Sequence, residues 1–475
     1  MKLHFVGIGG TAMGSLATAC IALGHVVSGS DSAVYSPMSD VLNTAGIQWY
    51  DGYDSDKLLS ICPDRVVIGN AISRGNPELE IVLNNRIPMT SMAALVGELF
   101  IDRNTSIVVS GTHGKTTTSS MTAWLLERAG RSPGFLIGGV PSTFSSGCRA
   151  IPPKLHNTSA GVFICEGDEY DTAFFDKRSK FVHYRPTIAV INNIEFDHAD
   201  IFPDIESIIR SFEHLVRIVP SNGVVLVNAD DPNSLRAVDR SYAPVQTVGF
   251  AANAFWRIHD VVYNTSGTAW TLSREGVQQG AFRLHMPGEH NMRNATMAIA
   301  ACIHAGVDNM TIEGAIASFV PPKRRLQEIS TWNNAIVIDD FAHHPTAIKA
   351  TIAALKQQYP DAKLHVCFEP RSNTTTRAFF QTELAECFDG CTSVCIGPVN
   401  RPERYKIEER LNTKRLKEEI ETRGPSVLVI DANDAETAWG EQVVTWLESR
   451  VHHGDIIAVL SNGNVGDLRK LLSVV

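Results

Sequence analysis

The sequence predicts an α/β protein of three consecutive blocks, and three observations carry that prediction. Short apolar runs alternate with helix-like stretches along the whole chain, the pattern of sheets layered with helices. A glycine-rich loop twice follows such a run and opens a helix, at GIGGTA and again at SGTHGKTTT. The chain has 475 residues, too long for one ordinary domain, and at about 150 residues per domain the length itself suggests three.

The first block is expected over residues 1–103: strand LHFVGI, a helix to Gly24, strand HVVSGSD, a helix and strand RVVIGNA. The opening MKLHFVGIGG sets one lysine before an apolar run, as a signal peptide does. It breaks into glycines at Gly7, so it reads as a first strand. The second block, residues 104–321, starts with IVVSGTHGKTTT, a strand, loop and helix from Thr116 to Ala129, and continues through strands VFIC and TIAVINN. It closes near Phe319, where the two prolines of VPPKRRLQE mark a linker. The third block, residues 322–475, carries five strand-like runs: AIVIDD, LHVCFEP, TSVCIG, SVLVI and DIIAVLSNG.

A hydrophobic content of 44% with a mean hydropathy of −0.03 describes a globular protein with ample core. A net charge of −9 offers no electrostatic footprint for nucleic acid. No apolar run reaches the roughly 18 residues a membrane span needs, so no membrane insertion is expected. The nine cysteines stand singly, without a C-x-x-C pair, as expected of buried reduced thiols in a cytoplasmic enzyme. Cys387, Cys391 and Cys395 recur every fourth residue, a spacing that would line one helix face.

The first loop, Gly7-Ile8-Gly9-Gly10-Thr11-Ala12, matches G-x-G-x-x-[GA], and Asp31 closes the following strand where a ribose-binding acid is expected. Its physics is an anion held by backbone N–H groups at a helix N-terminus. Any pyrophosphate satisfies that, from NAD or from a UDP-sugar. Alone, this loop would point to an NAD-dependent oxidoreductase.

The second loop fails the Walker A count, whose first glycine would fall on Val109; here it is Gly111, three residues before Gly114. It still turns between a strand and a helix, where a β/γ-phosphate nest belongs. Lys115 would neutralise the transferring phosphoryl and the Thr116 hydroxyl would face Mg²⁺.

The shortened loop resembles the T-[HN]-G-K-[ST]-T phosphate loop of the Mur ligases, the ATP-dependent amide-forming enzymes of bacterial cell-wall synthesis. Further motifs fall in that family's order: CEGDEYD, NNIEFDHAD, GEHNMRN, KRRLQE and DDFAHHP. The resemblance covers essentially the whole chain. It implies a Rossmann-like N-terminal domain for a UDP-sugar, a central P-loop-type domain for ATP and a Rossmann-like C-terminal domain for the amine. It also implies roles: Gly111, Thr112, His113, Gly114, Lys115, Thr116, Thr117, Asn291 and Asn294 at ATP; Thr116, Glu166 and His198 at metal. Arg325 and Asp340 are the charged pair supplied by the third domain, and Gly7, Gly9, Gly10, Thr11, Asp31 and Asn70 meet the UDP-sugar.

Each residue also has a plainer reading. Glu166 and Glu169 could be a solvated acidic turn, His198 a core histidine, Asn291 a helix cap, and Arg324 and Arg325 solvated linker charges. One departure is visible. Several family members hold a second metal with a carbamylated lysine, and no lysine stands between His198 and Pro220, which leaves Glu213 as a weak candidate. The branch that adds the first residue to UDP-N-acetylmuramate also lacks that lysine, and two branches compete. One joins L-alanine to UDP-N-acetylmuramate; the other attaches the tripeptide L-Ala-γ-D-Glu-meso-diaminopimelate. GNAISRGNPE, the insert AFFDKRSKFVHYRP and EPRSNT resemble the tripeptide branch, with Lys177, Arg178 and Lys180 a basic run and Arg371 the candidate for a peptide carboxylate.

Overall fold

The structure, a computed structural model, describes residues 1–36, 38–102, 104–152, 161–430 and 439–473. The expected first boundary, at residue 103, lies outside the described residues. Three large sheets follow one another along the chain, with a two-stranded hairpin, Asp171–Ala173 and Asp176–Ser179, inside the second block. The first has five parallel strands, Lys2–Val6, Val26–Asp31, Gln48–Asp51, Arg65–Ile68 and Met89–Ser91, in the order third, second, first, fourth, fifth. That is a doubly wound order, whose switch point falls between the first and fourth strands. Sequence reading found three of these strands; Gln48–Asp51 and Met89–Ser91 are too short to show a period.

The second sheet has ten strands. At its centre Thr105–Ser110 lies between Ile188–Ile191 and Val162–Gly167, parallel to both. The register pairs Ser110 with Ile191 on one side and with Gly167 on the other. The loops SGTHGKT, DEYD and NNIEFDH therefore leave one sheet edge at the same level. Gly134–Leu136 and Val224–Asn228 flank this trio, and Val245–Gly249 continues the parallel set. An antiparallel meander, Trp256–Asn264, Gly267–Arg274 and Val277–Leu284, extends the sheet. It went unforeseen.

The third sheet contains all five predicted strands, in the order Ala335–Asp340, Ile456–Leu460, Leu364–Phe368, Ser393–Ile396, Ser426–Val429. A sixth, Gln327–Trp332, pairs antiparallel at the edge through a hairpin in which Asn333 and Asn334 both take positive φ (48° and 60°). The asparagine pair is the signal that was available, since two-residue hairpins favour residues tolerant of positive φ. The cysteine spacing was misread. Cys387 ends the helix Gln381–Cys387, Cys391 lies in the following loop and Cys395 in a strand, all three buried and unpaired.

The three blocks meet in two different ways. One apolar core runs from the first sheet onto a face of the second, through Phe5, Phe100, Phe163, Phe181 and Phe212. The Phe100 and Phe163 rings stand 5.4 Å apart. Gly97 lies so near the His183 carbonyl that a Cβ there would sit 2.5 Å from it. By contrast, the two apolar clusters of the third block stay within residues 326–472. Its ties to the middle block include polar contacts: Thr374 Oγ1 donates to Asp197 (2.5 Å), Asn373 to Asp200 (3.1 Å) and Gln358 to the Thr265 carbonyl (3.3 Å). Phe196 adds an aromatic contact, edge-on to Phe379 and Phe380 (5.7 and 6.5 Å). A mainly polar interface of this kind is the default setting for domain motion.

Phe163→Ala should destabilise the first two blocks together by about 3–5 kcal/mol, the cost of removing a fully buried phenyl ring. Denaturant unfolding would check this; a loss confined to one of two separate transitions would count against a shared core.

Candidate active site at the junction of three sheets

The strand Thr105–Ser110 runs into a loop whose backbone turns sharply at Gly114 (φ +81°), the residue before the helix Lys115–Arg128. A Cβ at Gly114 would collide with the side chains of Asn294 and Asn192, so only glycine fits. The loop is pinned from the neighbouring strand end. The Thr112 N–H donates to the Asn193 carbonyl (3.0 Å), the His113 N–H to Asn193 Oδ1 (2.7 Å), and the Glu195 N–H to Thr112 Oγ1 (2.9 Å). Thr117 is buried just beyond.

Lys115 is largely buried and donates to the Gly111 carbonyl (2.6 Å) and to Glu169 Oε2 (2.9 Å). Burial pulls its pKa down, but Glu169, Asp168 and Glu166 outweigh that and hold it above the ordinary lysine value. Burial alone would raise Glu169; Lys115 and His198 instead hold its carboxyl below the usual range. Thr116 Oγ1 donates to Glu166 Oε1 (2.9 Å), and the Gly138 N–H donates to Glu166 Oε2 (2.7 Å). Two of the expected metal ligands thus touch, from adjacent strand ends.

His198 is held differently. Its Nε2 lies 3.1 Å from Glu169 Oε1, and its Nδ1 meets the Tyr170 hydroxyl at 2.5 Å. Burial lowers its pKa, but Glu169 and Asp197 prevail and the value is raised. His198 sits at φ +56°, a left-handed strain of about 1–2 kcal/mol for a residue with a Cβ. Glu213, the weak candidate for a second metal, faces Arg217 on the helix Ile205–Arg217 (3.3 Å) and does not reach these groups. Of the basic run, Lys177 pairs with Asp171 and Arg178 with Asp176; only Lys180, bonded to Asp168 (2.8 Å), lines the cavity.

That cavity, of about 1420 Å³, reaches all three blocks: Ala12 from the first, Lys115 and Glu166 from the second, Arg325 and Asp340 from the third. Asn291 and Asn294, both nearly buried, line it from the helix Glu289–His304, where Asn291 Nδ2 donates to the Pro287 carbonyl (2.8 Å). Asp340 accepts from the Leu326 N–H (2.7 Å) and the Ala342 N–H (2.8 Å), bracing the segment that presents Arg325 over the Phe341 ring. Burial raises the Asp340 pKa, against the pull of Arg325.

The first loop sits beside this cavity. Gly10 precedes the helix Thr11–Ala22, which no side chain caps, and Gly7 packs against Gly69, next to exposed Asn70. Asp31 is already engaged: its carboxylate accepts from the Gly9 N–H (2.8 Å) and the Ser32 N–H (2.7 Å), so it clasps the loop. Arg371 is not brought in. It lies beyond the strand Leu364–Phe368, against Gly463 and 3.3 Å from Glu369, away from the residues lining the cavity.

Sequence reading passed over four participants. Tyr170 supports His198; Glu195, in the loop after the strand Ile188–Ile191, lies 3.2 Å from His113 and 3.4 Å from His344 of the third block; Asn192 holds the Thr118 hydroxyl (3.1 Å). All four stand inside motifs quoted for other residues, and that was the only signal. Among the described residues, no helix is long and apolar enough to cross a membrane.

Three family profiles match the chain in order: "Mur ligase family, catalytic domain" over residues 2–103, "Mur ligase middle domain" over 109–302 and "Mur ligase, glutamate ligase domain" over 324–463. The chain is 38% identical over 478 residues to the UDP-N-acetylmuramate–L-alanyl-γ-D-glutamyl-meso-2,6-diaminoheptandioate ligase of Escherichia coli (strain K12), covering 99% of this chain and 97% of that one. It is 32% identical over 466 residues to the UDP-N-acetylmuramate–L-alanine ligase of Acetivibrio thermocellus, covering 98% and 93%. The crystal structure of a murein peptide ligase from Psychrobacter arcticus superposes with a TM-score of 0.71 at 34% identity, over 99% of this chain and 98% of that one. These similarities leave no place for the oxidoreductase reading of the first loop. The chain, from its first strand to its last, belongs to the Mur ligase family.

Proposed function

We propose that the protein joins UDP-N-acetylmuramate to L-alanyl-γ-D-glutamyl-meso-diaminopimelate with conversion of ATP to ADP and phosphate, serving cell-wall peptide recycling in the cytoplasm. The observation that carries this reading is a single cavity reached by all three blocks, in a chain that matches a tripeptide ligase along nearly its whole length. In this reading residues 1–103 bind the UDP-sugar, 104–321 ATP, and 322–475 the peptide. The alanine-adding reaction is the second reading, favoured by the 32% identity to an L-alanine ligase.

A carboxylate does not condense with an amine in water, because its oxyanion is a poor leaving group. Transfer of the γ-phosphoryl of ATP to the muramoyl carboxylate gives an acyl phosphate, which the peptide amine attacks, releasing phosphate. Lys115, freed from Glu169, supplies charge to the transferring group. The oxygen donors of Thr116 and Glu166, in contact at 2.9 Å, suit a hard cation such as Mg²⁺, with His198 near. When bound, Mg²⁺ neutralises charge on the phosphates. Tyr170 fixes the ring of His198, and Asp340 fixes the strand end carrying Arg325. The amine reacts as the neutral base, and a free α-amino group with a pKa near 8 is already about one-tenth neutral at pH 7.

Lys115→Ala should abolish ligation with the fold intact. Losing a charge-assisted contact in a desolvated site costs about 3–4 kcal/mol, on the order of 10²–10³ in rate. A variant keeping more than a third of wild-type turnover would remove this lysine from the mechanism.

Arg325 and Asp340 should act on closure of the third block, as lids commonly do. The radius of gyration from small-angle scattering should shrink when an ATP analogue and UDP-N-acetylmuramate are added together. Wild-type turnover in both Arg325→Ala and Asp340→Ala would end the idea.

The tripeptide should outcompete free L-alanine by at least about 10²-fold in kcat/KM. Both offer the same kind of amine, so the preference comes from remote contacts, each bidentate arginine contact contributing about 1.5–3 kcal/mol. If L-alanine proves equal or better in direct competition, the alanine-adding reading replaces this one.

A further inference from the structure

His113, Glu195 and His344 come from three motifs and two blocks, and their ligand atoms all lie within 4.8 Å of one another. His113 stands on the phosphate loop, Glu195 follows the strand Ile188–Ile191, and His344 precedes the helix Pro345–Gln358 of the third block. Among the described residues no other group of three histidine, cysteine or acidic side chains meets the same spacing. It shares no residue with Thr116, Glu166 and His198.

The protonation pattern is unusual for a plain hydrogen-bond cluster. His344 Nε2 lies 3.2 Å from the Phe196 carbonyl oxygen, which only accepts, so Nε2 carries the proton. The Thr346 N–H points at Nδ1 (3.3 Å), which confirms a bare lone pair there. The same nitrogen lies 3.4 Å from Glu195 Oε2, acceptor beside acceptor. On its other side the same oxygen meets His113 Nε2 at 3.2 Å. Among the three side chains one proton is shared, between His113 and Glu195; His344 Nδ1 takes only the Thr346 backbone N–H.

A backbone carbonyl fixing one imidazole nitrogen so that the other is free is the usual second support of a metal-bound histidine. The distances fit as well. Zinc with four bonds of about 2.0–2.1 Å sets neighbouring donors about 3.3–3.4 Å apart, and the two measured sides of this triangle are 3.2 and 3.4 Å. The third side, from His113 to His344, lies within 4.8 Å, and the His113 ring is one-fifth exposed. Two imidazoles and one carboxylate form a donor set suited to zinc-class ions rather than to magnesium. His113 and Glu195 also line the cavity, which leaves a fourth position open on that side.

We propose that His113, Glu195 and His344 form a second cation site, selective for a zinc-class divalent ion, that ties the phosphate loop to the third block. The ion replaces the proton between His113 and Glu195 and displaces the Thr346 N–H from His344. Because its ligands come from both sides of the polar interface, occupancy holds the third block against the loop. The site stands independently of which amine the enzyme ligates.

Cobalt(II) titration of the untagged, chelator-treated full chain in excess Mg²⁺ tests this. Magnesium fills the oxygen-donor positions, and cobalt then reports nitrogen ligation by the intense visible band of its four-coordinate form. One equivalent should bind with that band, and zinc should displace it. Glu195→Gln removes the carboxylate charge, and His344→Asn removes the imidazole while keeping a residue able to cap the helix. Each should weaken cobalt binding at least tenfold, with unchanged circular dichroism. Glu166→Gln should leave the affinity as in the wild type. Cobalt binding without the band, or wild-type affinity in both the Glu195 and the His344 variant, would overturn the proposal.

Discussion

The register of three neighbouring strands is the constraint on which everything else here rests. Thr105–Ser110 is hydrogen-bonded on both sides, to Ile188–Ile191 and to Val162–Gly167, with Ser110 opposite Ile191 and Gly167. Parallel strands at this register end together, so a lysine, a carboxylate pair and a histidine distant in sequence emerge on one rim. A slip of one residue would reverse the facing of a whole strand. The buried hydroxyls near the two ends of Thr105–Ser110 oppose such a slip, since Ser106 donates to the Tyr184 carbonyl (2.9 Å) and Ser110 to the Val190 carbonyl (2.7 Å). The chemistry is as well positioned as the core behind it is apolar.

Two sorts of contact then divide the molecule. The first block is welded to the middle block through phenylalanines that neither owns alone. The third keeps its clusters to itself and reaches across mainly with hydroxyl, amide and imidazole groups, with Phe196 against Phe379 and Phe380 the aromatic exception. Apolar cores resist partial separation, since any gap exposes surface or leaves a void. Polar contacts exchange readily with water. A rigid pair with one mobile partner suits an enzyme that must admit three substrates and then exclude solvent.

What the sequence disclosed was what is local. A strand followed by glycines and a helix is a pattern within a dozen residues, so both loops were legible, as were the five strands of the third sheet. Lys115 and Thr116 could be named because the loop between strand and helix places them; Glu166 was named through the family resemblance of its motif. Pairings between distant segments could not. Nothing near Glu169 announces that it will hold Lys115, and nothing near Glu195 announces two histidines from different motifs. Asp31 was read for the ligand and is occupied with the loop itself. Arg371 was placed by its strand end, yet a strand end fixes height on a sheet and not which cavity a long side chain enters. The antiparallel meander escaped notice because its outer strands are half exposed and their polar residues blur the alternation.

The contact between Lys115 and Glu169 has a consequence for affinity. A lysine facing only water or carbonyls would offer an incoming polyphosphate its whole charge. This one is already neutralised by a resident carboxylate that is itself steadied by His198. Any phosphate must therefore enter by exchange, evicting one anion to install another, and the net gain is a small difference between two large attractions. Such a loop grips weakly for the strength of its charges. It also sheds its product easily, because the departing phosphate leaves behind a counter-ion that never left the site.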